Sequence, residues 1–142
     1  MQDYIIKMTQ IIKNIKTKNR EIISSYKLSP NEIDVLVFLD IQNEYDTASD
    51  IVCFLEISKS LVCRSVDSLI KRGYIQAIKD EKDKRITHLK LLEESLPIVQ
   101  ALNIGRKNII KDLTEGISEE DLDTFNKVLE KMNSNFIKKG DK

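Results

Sequence analysis

The sequence predicts a mainly α protein with one small β-hairpin, and three observations support that class. Apolar residues recur at helical spacing through most of the 142 residues. Ser- or Thr-led caps punctuate this pattern at Ser29, Thr47, Ser58 and Ser118. Only between Tyr74 and Leu91 does the period shorten to that of strands, on either side of a charged tip.

In residues 3–26, Tyr4, Ile5, Met8, Ile11, Ile12, Ile15, Ile22 and Ile23 form an apolar stripe, interrupted by a polar turn at Lys18 and Asn19. A long helix is expected, with its stripe facing either the core or a partner subunit. Ser29-Pro30-Asn31-Glu32 has capping-box spacing with Pro at the first helical position, and it leads into Ile33, Leu36, Val37 and Leu39. Thr47-Ala48-Ser49-Asp50 repeats the cap with Asp in place of Glu, ahead of Ile51, Val52, Phe54 and Leu55.

The next helix should run from the Ser58 cap to Gly73, which can end it in the left-handed conformation. Val62, Val66 and Leu69 fall on one side of it and predict a buried face. Lys59, Ser60, Cys63, Arg64, Asp67 and Ser68 fall on the other. That face is short, polar and basic, and it lacks the Glu-to-Lys ladders of a merely solvated helix. An ordinary amphipathic helix would read the same way until its neighbours are considered.

Only Glu56-Ile57 separates this helix from the one before, so the pair makes a helix-turn-helix. After Gly73, Tyr74–Lys79 and Arg85–Leu91 read as two strands, with Thr87, Leu89 and Leu91 on one face. Asp80-Glu-Lys-Asp-Lys84 is the charged tip between them. A hairpin placed here is the wing of a winged helix-turn-helix. Lys82, Lys84 and Arg85 cluster where such a wing would meet a phosphate backbone or minor groove.

Formal net charge is zero, but its distribution is uneven. Residues 58–90 hold nine Lys or Arg against four acids, a surplus of five. Residues 112–130 hold seven acids against Lys127 alone. Screening acts over about 8 Å at physiological salt, so a basic middle can face a polyanion although the whole is neutral.

At this point the residues resemble the MarR (multiple antibiotic resistance regulator) family of bacterial regulators. The resemblance rests on Leu28-Ser-Pro, the Thr47 cap, Ser58-Lys-Ser, Arg64-Ser-Val-Asp-Ser-Leu69, Arg72-Gly73 and Asp80…Asp83-Lys84-Arg85. It implies a winged core at 28–92, flanked by dimerisation helices at 1–27 and 93–142, in one domain that pairs as a homodimer. It implies double-stranded operator DNA as the partner and a repressor's role, with Ser58, Lys59, Ser60, Cys63, Arg64, Ser68, Lys82, Asp83, Lys84 and Arg85 as the DNA-binding set. Arg64 would lie on the DNA face of the recognition helix, and Asp83 would hold Arg85 at the wing. A small amphipathic, often aromatic, effector that releases DNA is also implied. Two features depart from the family: Ala77 stands where an Arg is common, and Leu91-Leu92-Glu93-Glu94-Ser95 replaces a Leu-Thr-x-x-Gly pattern. Ala77 leaves room for the alternative of a winged-helix protein-interaction module that has lost DNA binding.

The second departure moves the next helix start to near Ser95, with Pro97 in its first turn. Leu96, Val99, Leu102, Arg106, Ile109, Ile110 and Leu113 outline that helix, which should end at Gly116. Ser118 caps a last helix carrying Leu122, Phe125, Val128, Leu129, Met132 and Phe136. One histidine and no Gly-rich phosphate loop argue against an enzyme, and no cofactor or metal is expected. His88 should be a surface residue and Cys53 core. Cys63 is either an inert small residue or, beside Arg64, an oxidisable one. No membrane span and no signal peptide are visible, so a cytoplasmic protein is expected.

Overall fold

The computed structural model describes residues 2–140, and the side chains of residues 3–136. Six helices and one hairpin follow in chain order: α1 (Gln2–Ile22), α2 (Pro30–Ile41), α3 (Ala48–Leu55), α4 (Lys59–Lys71), β1 (Ile75–Lys79), β2 (Thr87–Leu91), α5 (Leu96–Leu113) and α6 (Glu119–Gly140). Short 3-10 turns at Ser24–Tyr26 and Glu93–Ser95 precede α2 and α5. The fold is therefore a winged helix-turn-helix, with helices before and after it.

The chain forms two compact units, residues 1–109 and 110–142. In the first, α2, α3, α4 and the hairpin close around Val35, Leu36, Ile51, Val62, Leu69, Ile75 and Leu89, all buried. Ile23, just after α1, and Ile98 and Leu102 from α5 complete this core. Gly105 of α5 lies against the Ile22 side chain, which occupies the space a Cβ would take. In the second unit, Ser118 caps α6 by accepting a hydrogen bond from the Asp121 N–H at 3.1 Å, and Gly116 takes φ +77° just before it.

The caps form as their sequences require. The Ser29 hydroxyl accepts from the Glu32 N–H at 3.2 Å, and Glu32 Oε1 accepts from the Ser29 N–H at 3.1 Å. Thr47 and Asp50 make the same reciprocal pair at 3.2 and 3.0 Å, so Asp substitutes for Glu without loss of the box. Helix α4 ends in a Schellman motif: Tyr74 N–H donates to Leu69 O and Gly73 N–H to Ile70 O, both at 3.0 Å. Gly73, at φ +76°, supplies the left-handed residue this motif needs.

Several element boundaries differ from expectation. The strands are shorter, because Ile86 N–H closes a turn onto Asp83 O at 3.0 Å and keeps Arg85 out of the ladder. The pairing is antiparallel, with Ile75 opposite Leu91, Ala77 opposite Leu89 and Lys79 opposite Thr87. Helix α1 stops at Ile22 rather than running to residue 26, and Lys27 turns the chain at φ +52°. Cys53 is exposed rather than core. An eight-residue helix packed by one side buries only Ile51 fully and leaves Cys53 outward.

Candidate nucleic-acid interface

Helix α4 is held from both ends and from below. Ser58 Oγ accepts from the Leu61 N–H at 3.3 Å, so this side chain serves first as the N-cap. Val62, Ser65, Val66 and Leu69 are buried on the inner face. Lys59, Ser60, Cys63, Arg64 and Asp67 are exposed together on the outer face. Lys59 and Cys63 line a shallow hollow of about 160 Å³ with Ala48, Ser49 and Val52 of α3. Ser68 differs from its expected companions: it is half-buried, and its hydroxyl donates to Glu32 Oε2 at 3.1 Å, turned toward α2. One helical turn beyond Arg64, that side of α4 already meets α2.

Glu32 is the buried link between α2 and α4, only 8% exposed. Besides its capping bond and Ser68, it has Arg72 Nη1 at 3.5 Å. Arg72 also donates to Lys27 O at 3.1 Å and Tyr26 O at 2.6 Å, and stacks over the Tyr74 ring. The sequence singled out Arg72-Gly73 only as part of a pattern. The structure gives Arg72 the task of joining the end of α4 to the chain before α2.

The wing tip is built by two aspartates. Asp80 Oδ2 accepts from the backbone N–H groups of Lys82 and Asp83 at 3.0 and 2.8 Å and so shapes the turn. Asp83 accepts a fork from Arg85: Nε to Oδ1 at 3.0 Å and Nη2 to Oδ2 at 2.9 Å, with the Arg85 N–H also on Oδ1. These bonds hold the Asp83 carboxyl below its usual range and raise the Arg85 guanidinium above its own. The Arg85 side chain is nonetheless 90% exposed. Lys82 and Lys84 are exposed beside it.

His88 is not a free surface residue. It is half-buried, with Nδ1 at 2.6 Å from Asp46 Oδ1 and Nε2 at 2.9 Å from Asp80 Oδ1. Hydrogen bonds to Asp46 and Asp80 raise its pKa above the ordinary 6.5. The hydrogen bond from His88, with those from the Asp83 and Lys82 N–H groups, pushes Asp80 down to about 2. Burial raises the Asp46 carboxyl, but hydrogen bonds from His88 and Lys90 outweigh it and leave the group below its usual range. Nothing in the sequence marked Asp46, because its partners lie more than forty positions away.

Residues 26–86 match a family model described as the MarR family. Over those residues the winged helix of this chain is similar to that of MarR-family transcription regulators. The match covers α2, α3, α4, β1 and the wing turn that holds Asp83 and Arg85. The chain is 28% identical over 122 residues to an uncharacterised HTH-type transcriptional regulator, YsmB, of Bacillus subtilis, covering 83% of this chain and 80% of that one. It is 26% identical over 98 residues to the transcriptional repressor MprA of Escherichia coli, covering 68% of this chain and 56% of MprA. A MarR transcriptional regulator from Methanosarcina mazei shares the fold at a TM-score of 0.79 and 16% identity, covering 97% of this chain and 99% of that one. No helix among the described residues is long and apolar enough to cross a membrane.

Proposed function

We propose that this MarR-family chain is a sequence-specific repressor that binds operator DNA as a homodimer and is released by a small ligand. The observation that carries the reading is Arg85. An exposed ion pair adds little to stability and costs side-chain entropy to hold. A guanidinium fixed by a two-bond fork yet 90% exposed is therefore preorganised for something outside the protein. An anionic groove is the partner that suits it, since Arg inserted into a narrow minor groove meets enhanced negative potential.

Helix α4 supplies the second half of the interface. Its rigid seat and short outer side chains suit a major groove, where Arg64 can take a guanine edge through two donors. Lys59, Ser60 and the wing lysines supply phosphate contacts, which fix register. Ser68 is assigned a supporting part through Glu32. Homodimerisation rests on α1, whose Tyr4, Ile5, Ile6, Ile11 and Ile12 are exposed, and on α6, whose Phe125, Val128, Met132 and Phe136 are exposed. The effector's place is a cavity of about 380 Å³ between α1, α2 and α3, where Ile12, Phe38 and Phe54 offer an aromatic and aliphatic lining and Asn19 and Asp34 polar handles. MprA, described as a repressor, supports the sign of the regulation.

The test is binding of the purified protein to labelled duplex across a salt series, after selection of preferred fragments from random DNA. Preference for a selected sequence, with affinity that falls steeply as salt rises, is the expected result. A protein that binds no duplex even at low salt would instead favour a winged helix that docks proteins.

A further inference from the structure

We propose that His88 is a positioning residue for the wing, an imidazolium strap that ties the α2–α3 loop to the base of the wing turn and makes DNA affinity depend on pH. The proposal rests on the DNA-binding reading above for its last step only.

The geometry is specific. Three successive residues of β2 fasten to Asp46: His88 through Nδ1, Leu89 through its N–H at 2.8 Å, and Lys90 through Nζ at 2.8 Å. The other nitrogen of His88 reaches Asp80, whose second oxygen holds the Lys82 and Asp83 N–H groups. Asp83 in turn holds Arg85. A continuous path of hydrogen bonds therefore runs from the buried loop to the exposed guanidinium, and His88 is its central link.

Both His88 contacts are carboxylates, which accept and do not donate when ionised. A neutral imidazole has one N–H and can satisfy only one of them, whereas the imidazolium satisfies both. The charges around the ring favour that form. Asp46 faces it from the α2–α3 loop and Asp80 from the end of β1. Lys90, also on β2, is engaged by the far oxygen of Asp46. Asp83 is matched by Arg85, and the Lys79 ammonium is turned to Lys84 O. The raised pKa of His88 agrees with this balance. Above it, one nitrogen would point a lone pair at a carboxylate, and the strap would open at one end. The wing would then lose its fixed pose, while DNA phosphates near it would pull the equilibrium back toward the charged ring.

A direct test is available because the chain has a single histidine. Its ring signals in a carbon-13 NMR spectrum need no assignment and can be followed from about pH 5 to above pH 8 on the DNA-free protein. The expected result is a midpoint above 6.5, with the Arg85 Nε–H signal, identified by its loss in Arg85→Ala, moving at the same midpoint. His88→Gln should leave that Arg85 signal insensitive to pH in this range. Affinity for a mixed-sequence duplex, measured by anisotropy at fixed salt, should fall roughly three- to tenfold per wing as pH rises through the midpoint. In Arg85→Ala and His88→Gln it should stay flat, and the salt slope should not change between the two ends of the pH range. A midpoint at or below 6.5, or an Arg85 signal blind to the titration, overturns the strap. So does wild-type pH dependence retained in Arg85→Ala, and a changed slope would mean that His88 touches phosphate itself. Failure to bind duplex at every pH would refute the DNA reading, and the NMR titration would still decide the strap.

Discussion

Arg64 and Arg85 carry equal charge but stand in different surroundings, and their substitutions should separate. Arg64→Ala should relax sequence preference, by about 1–3 kcal/mol for each bidentate arginine–guanine pair that it removes. Arg85→Ala should weaken preferred and random duplexes by similar factors and lower the salt slope by about one unit per wing. Asp83→Ala should act as a milder Arg85→Ala, since it frees the guanidinium without removing it. Competition binding with selected and random duplexes distinguishes the three. Asp80 adds an acid limit. Its carboxyl is pushed down to about 2, so the stability it gives the wing turn is present above the ordinary 3.8 and is lost as pH falls toward 2. His88 has the opposite sign: its pKa is raised, so its contribution is full below 6.5 and is lost as pH rises through the higher folded value. The Arg85 Nε–H signal should therefore be sharpest and most shifted between these limits.

At the scale of elements, Glu32 decides how α2 and α4 stand together. It serves one capping bond, Ser68 and Arg72 from a position 8% exposed. Glu32→Ala should cost about 2–4 kcal/mol in urea unfolding, because a cap is removed and buried or half-buried donors are left without a partner. Thr47→Ala, which removes only the α3 cap, should cost about 1 kcal/mol. A Glu32→Ala loss no larger than that of Thr47→Ala would show that α2 and α4 are joined by apolar packing alone. These elements also mark what could be read from sequence. The Asp83–Arg85 fork was expected only from the family resemblance, whereas the caps at Ser29, Thr47, Ser58 and Ser118 and the Gly73 stop were legible because each is a local interaction within a few residues. Cys53, His88, Ser68 and Gly105 were not, because distant chain decides their surroundings. Cys53 depends on how narrow a side α3 buries, His88 on Asp46, Ser68 on Glu32, and Gly105 on Ile22. Periodicity reports a face, and only tertiary structure says what that face meets.

At the scale of the molecule, the apolar side chains left exposed on α1 and α6 set the expected assembly. Phe136 is 84% exposed and Ile5 57%, and each helix carries several such residues on its own. An obligate homodimer should bury more than about 2,000 Å² in total. Sedimentation should give twice the 16.4 kDa chain mass at micromolar concentration, and a folded species at the single-chain mass would refute the pairing. A two-fold pair would present two α4 helices and two wings to one duplex, which is why an operator made of two half-sites is expected. The most direct test is the affinity of the dimer for its selected duplex relative to a scrambled one at physiological salt, with Arg64→Ala alongside. The account predicts a preference of roughly a thousandfold or more that Arg64→Ala largely removes. Equal affinity for the two duplexes, or a preference untouched by Arg64→Ala, would contradict it.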